Sequence, residues 1–145
     1  MRQSRFDPRR LAAIYVGGMV GACARVGLAE AIPHGAATWP WATFAANLAG
    51  ALLLGLFVAS LRGHPQESPR FALLTTGLCG TLTTFATFQL ELFEMLDAGA
   101  AGLAVGYAAA SIAAGLLLLR TGLAVGARGA FVRHNRTKAT RGGGT

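Results

Sequence analysis

GLCGTLTTFATF, from Gly77 to Phe88, is the stretch on which the reading of this chain turns: twelve uncharged residues with two glycines, four threonines and two phenylalanines. The charge-free interval around it runs from Arg70 to Glu91, about the length needed to cross a bilayer as a helix. Gly77 and Gly80 each weaken a helix by about 1 kcal/mol relative to alanine. Thr81, Thr83, Thr84 and Thr87 lose side-chain freedom in one. The stretch therefore predicts a membrane helix broken near its middle. Each backbone group left unpaired in hydrocarbon costs several kcal/mol. Such a break survives only where protein or water covers it, a setting that often coordinates ions. Threonine hydroxyls can pair part of what the glycines free.

The rest of the chain has the same character. Of 145 residues, 53% are apolar and 13% charged, against about a quarter charged in soluble domains, and the mean hydropathy is +0.48. No Asp, Glu, Lys or Arg falls between Glu30 and Arg62 or between Asp97 and Arg120, and only Arg25 interrupts Leu11–Ala29. These intervals predict four spans, near Leu11–Ala31, Trp41–Leu61, Phe71–Leu96 and Gly99–Leu119, in an all-α integral membrane protein. A basic segment 1–10 precedes the four-span unit 11–120, and a basic tail 121–145 follows it. A soluble bundle would show a polar face on each helix, and these segments are apolar nearly all round. The first span is too long for a signal-peptide core and is followed by three more. Cys23 and Cys79 form no CxxC pair and read as small packing residues.

Twelve of the thirteen basic residues lie before the first span, between the second and third, or after the fourth. The opposite loops hold His34, Glu30, Glu94 and Asp97 and no Lys or Arg. The positive-inside rule then expects both termini in the cytoplasm. The tail carries no nucleic-acid-binding module; it reads as a headgroup anchor or a disordered end.

A few polar groups remain inside the spans. Phe85 and Phe88, three residues apart, share a helix face: either ordinary packing or two weakly positive ring edges turned to a small anion. Asn47, in mid-span, needs partners, either across helices or in a pore. Tyr107 and Ser111, four apart, stack on one face and with Asn47 and the threonines could line a polar track. Arg25 marks a pathway or snorkels to headgroups. Glu91 lies one turn beyond Phe88. Gly17 with Gly21, Gly102 with Gly106 and Gly122 with Gly126 have the spacing of close helix packing, within one subunit or between two.

GGMVGACAR at Gly17–Arg25, NLAG from Asn47, and GLCGTLTTFATFQLE at Gly77–Glu91 together resemble the Fluc (CrcB) fluoride channel family, in order and spacing, over about Gly17 to Ser111. The resemblance implies an antiparallel dimer with two narrow fluoride pores in a bacterial inner (plasma) membrane. It makes Asn47 the pore asparagine and Phe85 and Phe88 the pore phenylalanines. Thr84, Tyr107 and Ser111 become polar pathway positions, with Glu91 and Arg25 matching the family's glutamate and arginine. It further implies a structural, untransported sodium ion held by the Gly80 and Thr83 backbone carbonyls of both subunits. Two departures stand out: Thr81 where the family commonly has glycine, and Ala86 where it commonly has serine. The function implied is passive export of cytoplasmic fluoride, which lowers its toxicity, with no enzyme activity. The alternatives are a small four-span proton-coupled multidrug exporter, which needs a carboxylate deep in the first span where this chain has only Glu30 at its end, and a non-transporting assembly subunit. The charge bias conflicts with insertion in both directions, so pairing with a related subunit of opposite orientation is expected.

Overall fold

The computed structural model describes residues 7–62, 65 and 68–142, with side chains described as far as Ala130. Arg2 and Arg5 lie outside the described residues, as do the side chains of Arg133, Arg136, Lys138 and Arg141. Among the described residues the regular structure is all helix, and four segments are long and apolar enough to cross a membrane.

The first helix, Pro8–Ala31, starts where Asp7 accepts from the Arg9 amide at 3.0 Å with Pro8 behind it, satisfying an amide that a helix start leaves free. The second is Trp41–Ser60. Its 20 residues span about 30 Å, the thickness of the hydrocarbon layer. The third span starts at Pro69, capped by Ser68. Its middle, Ala72–Cys79, is wound as a π-helix, and one α-helical turn, Gly80–Leu82, follows. Thr83 and Thr84 are extended (ψ 150° and 121°), and a second helix, Phe85–Asp97, completes the span. The turn into the fourth helix is closed by the Gly99 amide on the Leu96 carbonyl (3.0 Å) and the Ala100 amide on that of Met95 (2.8 Å). This paired closure puts its last residue in the left-handed region, and Gly99 has φ +74°.

The fourth helix runs from Ala101 to Gly142. The backbone therefore has no boundary near residue 120, where the sequence reading ended the span and began a tail. Falling hydropathy marks where lipid ends. It does not stop a helix, and the chain after Leu119 has no proline to do so.

The helices pack in two parallel pairs, glycine to backbone. The first lies against the leading half of the third span: a β-carbon on Gly17 would collide with the Leu73 carbonyl, and one on Gly21 with the Leu78 carbonyl and the Thr81 hydroxyl. The second lies against the fourth, where Gly122 abuts the Leu52 carbonyl and Gly126 that of Leu56. Without a hydrophobic force between helices in lipid, this close approach supplies the packing. Gly102 and Gly106 have no neighbour and stay on an open face. A cluster of large side chains forms at one end, around Met95, Ala104 and Tyr107, with Trp39, Phe44, Phe88 and Leu92 against it.

Candidate functional site

The break at Thr83–Thr84 organises the polar groups of the membrane interior. Asn47 reaches across from the second helix and holds Thr84 at both ends: Nδ2 donates to the Thr84 carbonyl at 3.1 Å, and Oδ1 accepts the Thr84 amide at 2.8 Å. Arg25 Nε donates to the Thr81 carbonyl at 3.1 Å, a cation at the C-terminal end of the leading half, where the helix dipole favours it. The Thr81 hydroxyl sits 2.9 Å from the Gly18 carbonyl and 3.0 Å from that of Gly77, and the Thr83 hydroxyl donates to Cys79 at 2.9 Å. Thr84 Oγ1 accepts the Thr87 amide at 3.2 Å and so caps the trailing half.

These bonds divert two amides. In a continuous helix Thr84 N would close onto the Gly80 carbonyl and Thr87 N onto that of Thr83. Here they go to Asn47 and to Thr84 Oγ1. The carbonyls of Gly80 and Thr83 thus lose their helical donors, and both residues line an open groove of about 460 Å³ with Gly50, Thr75, Ser111 and Gly115. Two oxygens of this hard kind suit an alkali cation, but they are too few to surround one without a second copy.

A second groove of about 320 Å³ adjoins the first through Thr83, Ser111, Ile112 and Gly115, and is lined also by Asn47, Thr84, Phe85 and Phe88. The two phenyl rings face each other, centroids 6.0 Å apart and planes 29° from parallel. Phe85 is 70% exposed, so it projects from the open face, whereas Phe88 packs on Tyr107 at 5.1 Å. Ser111 Oγ is buried and makes no hydrogen bond of ordinary geometry among the described residues.

Glu91 and Tyr107 belong to a packed polar cluster beside Phe88. Glu91 is 4% exposed. Its carboxylate accepts from Thr43 Oγ1 and from the Tyr107 hydroxyl at 2.8 Å, and His34 Nε2 lies 3.3 Å away. The sequence reading placed Tyr107 beside Ser111 on one track. The Tyr107 hydroxyl donates to Glu91 and also lies beside Ser111, which lines both grooves. The sequence reading did not single out Thr43, whose signal was its position four residues before Asn47 on one helix face. Nor did it single out His34, an unmarked loop residue. The two departures from the family pattern also find their places. Thr81 keeps helical backbone and ties the break to the first helix; Ala86 is exposed on the open face.

A four-span membrane protein is thus defined, with an interrupted third helix clamped by an asparagine and an arginine and flanked by a phenylalanine pair. A profile described as CrcB-like protein, Camphor Resistance (CrcB), matches residues 12–123. The chain belongs to that family. It is 47% identical over 115 residues to "Fluoride-specific ion channel FluC 1" of Mycolicibacterium paratuberculosis, covering 79% of this chain and 87% of the relative. Over 113 residues it is 50% identical to the protein of that name in Mycobacterium bovis, covering 77% and 85%. "Fluoride-specific ion channel FluC" of Bordetella petrii is 43% identical over 119 residues, covering 81% and 91%.

Proposed function

We propose that this chain forms a fluoride-selective channel that lets cytoplasmic fluoride leave passively, and that it is not an enzyme. The observation that carries the reading is the convergence of Asn47, Thr84, Phe85, Phe88 and Ser111 on one groove in a chain whose relatives are named fluoride-specific channels. Fluoride holds its water tightly, and moving even a carboxylate-sized ion into low dielectric costs about 20 kcal/mol in the idealised limit. The pathway offers replacements for that water: the spare Ser111 hydroxyl, the second Asn47 N–H and the weakly positive rims of the phenyl rings. Narrowness together with fixed donors then selects against larger halides.

The grooves lie open on one face, and the working unit in this reading is an antiparallel dimer that closes them. The Gly80 and Thr83 carbonyls of two copies supply four oxygens to a structural sodium ion that is not transported. The membrane is the bacterial plasma membrane, with the basic ends of this chain cytoplasmic. The exporter alternative lacks the carboxylate it needs deep in the first span, since Glu30 is exposed at the end of that helix. Fluoride efflux from liposomes carrying the protein, with a companion chain where one is required, tests the reading. Efflux should exceed that of empty vesicles and fall in Phe85→Ile and Asn47→Asp. Vesicles that retain fluoride like empty ones would refute it.

A further inference from the structure

We propose that His34 is the charge-compensating partner of Glu91 beside Phe88, so that the channel conducts faster when His34 is protonated. This rests on the channel reading above. The geometry of the imidazole carries it. Nδ1 lies 3.4 Å from the Gly35 carbonyl oxygen, and Nε2 lies 3.3 Å from Glu91 Oε1. Both neighbours are acceptors. A neutral imidazole has one N–H and can serve only one of them; the imidazolium serves both.

The surroundings leave this role to His34 alone. Thr43 comes from the second helix and Tyr107 from the fourth, and each gives the Glu91 carboxylate a neutral hydroxyl. The other ionisable groups at this end are acids: Glu30 at the end of the first helix, and Glu94 and Asp97 on the helix of Glu91 itself. Among the described residues none of them pairs with His34 or Glu91. The fourth helix brings no charge before Arg120, and no Lys or Arg lies in either loop here. Glu91 also sits next to the route: it is one turn beyond Phe88, and Tyr107 touches both residues. A permeating anion that passes Phe88 meets the field of that carboxylate, which is little screened away from bulk water. A protonated His34 offsets it, and His34 is reachable from the aqueous side, its side chain 23% exposed.

The test is fluoride current in planar bilayers, with equal pH on both sides so that orientation does not matter. Neutral HF carries no current and does not contribute. Currents are compared at about pH 5.5 and about pH 7.5. The wild type should conduct about three- to tenfold more at the lower pH, the size expected for removing one nearby like charge at a partly solvated site. His34→Gln should be flat across this range at the low level, and His34→Lys flat at the high level. Lysine also serves if the glutamine variant fails to assemble. Wild-type current that is equal at both pH values, or higher at the alkaline one, overturns the inference while leaving the channel reading intact, as does a His34→Gln response that matches the wild type. Absence of fluoride current at every pH sinks the channel reading, and the inference with it.

Discussion

Asn47 and Thr84 are joined by two antiparallel hydrogen bonds, with the side-chain amide of one pairing with the backbone of the other at 3.1 and 2.8 Å. The amide thus stands in for a strand neighbour at the one place where the third span is extended. Asn47→Asp keeps the acceptor and loses the donor, turning a carboxylate oxygen toward the Thr84 carbonyl. Leaving that carbonyl unpaired should cost about 1–3 kcal/mol. Thermal unfolding in detergent should show the loss, and fluoride flux should fall with it.

Thr81 and Gly21 form a second joint. The Thr81 hydroxyl bonds to the Gly18 carbonyl, and a β-carbon on Gly21 would meet that hydroxyl and the Leu78 carbonyl. Thr81→Gly loses the bond and adds backbone freedom, for a destabilisation of about 1–2 kcal/mol. Gly21→Ala should be worse, because a backbone carbonyl cannot step aside. The double variant should recover only in part, since the Leu78 carbonyl remains. Unfolding midpoints of the two singles and the double measure the coupling; full recovery would mean that Thr81 alone sets the spacing.

Much of this was legible beforehand. Four spans follow from where charge is missing, and an interruption was expected from Gly77, Gly80 and the threonines. The position of the extended pair, Thr83–Thr84, was not, because neither residue is distinctive until Asn47 arrives from another helix. Gly80 itself keeps ordinary right-handed backbone (φ −67°); the glycine was a sign of the break and not its pivot. The fate of Tyr107 was hidden for the same reason. Spacing says that Tyr107 and Ser111 share a face, but the partner of each hydroxyl depends on Glu91 and on how the helices pack. Falling hydropathy after Leu119 did not reveal that the helix itself continues to Gly142.

Ser111 separates function from stability. Its buried hydroxyl has no partner of ordinary geometry among the described residues, and the residue lines both grooves. Removing a hydroxyl that makes at most a weak contact with Tyr107 costs little, and it can stabilise where the group was buried at a penalty. Ser111→Ala should leave the unfolding midpoint within about 0.5 kcal/mol of the wild type and still lower fluoride flux. A large loss of stability with unchanged flux would make Ser111 a packing residue.

Sodium should stabilise the assembly. The carbonyls of Gly80 and Thr83 lack helical donors, and both residues line one groove. An ion that binds only the folded dimer raises stability with the logarithm of its concentration. Replacing sodium by a bulky organic cation at constant ionic strength should lower the unfolding midpoint and promote dissociation, followed by cross-linking. A midpoint indifferent to that exchange would argue against an ion held by these oxygens.

Twelve basic residues sit at one end of the spans and none at the other, with Arg25 between. Each Lys or Arg near a span end favours the cytoplasmic side, so this chain should insert in one direction. The antiparallel dimer proposed above would then need a second, related chain with the reverse bias. A tag at the C-terminus, probed with a membrane-impermeant reagent on intact cells and on inverted vesicles, should react in the vesicles alone. The protein expressed by itself should conduct poorly until the companion chain is supplied. Equal labelling from both sides would instead make the chain its own partner, and would mean that the charges of the extended fourth helix do not govern insertion.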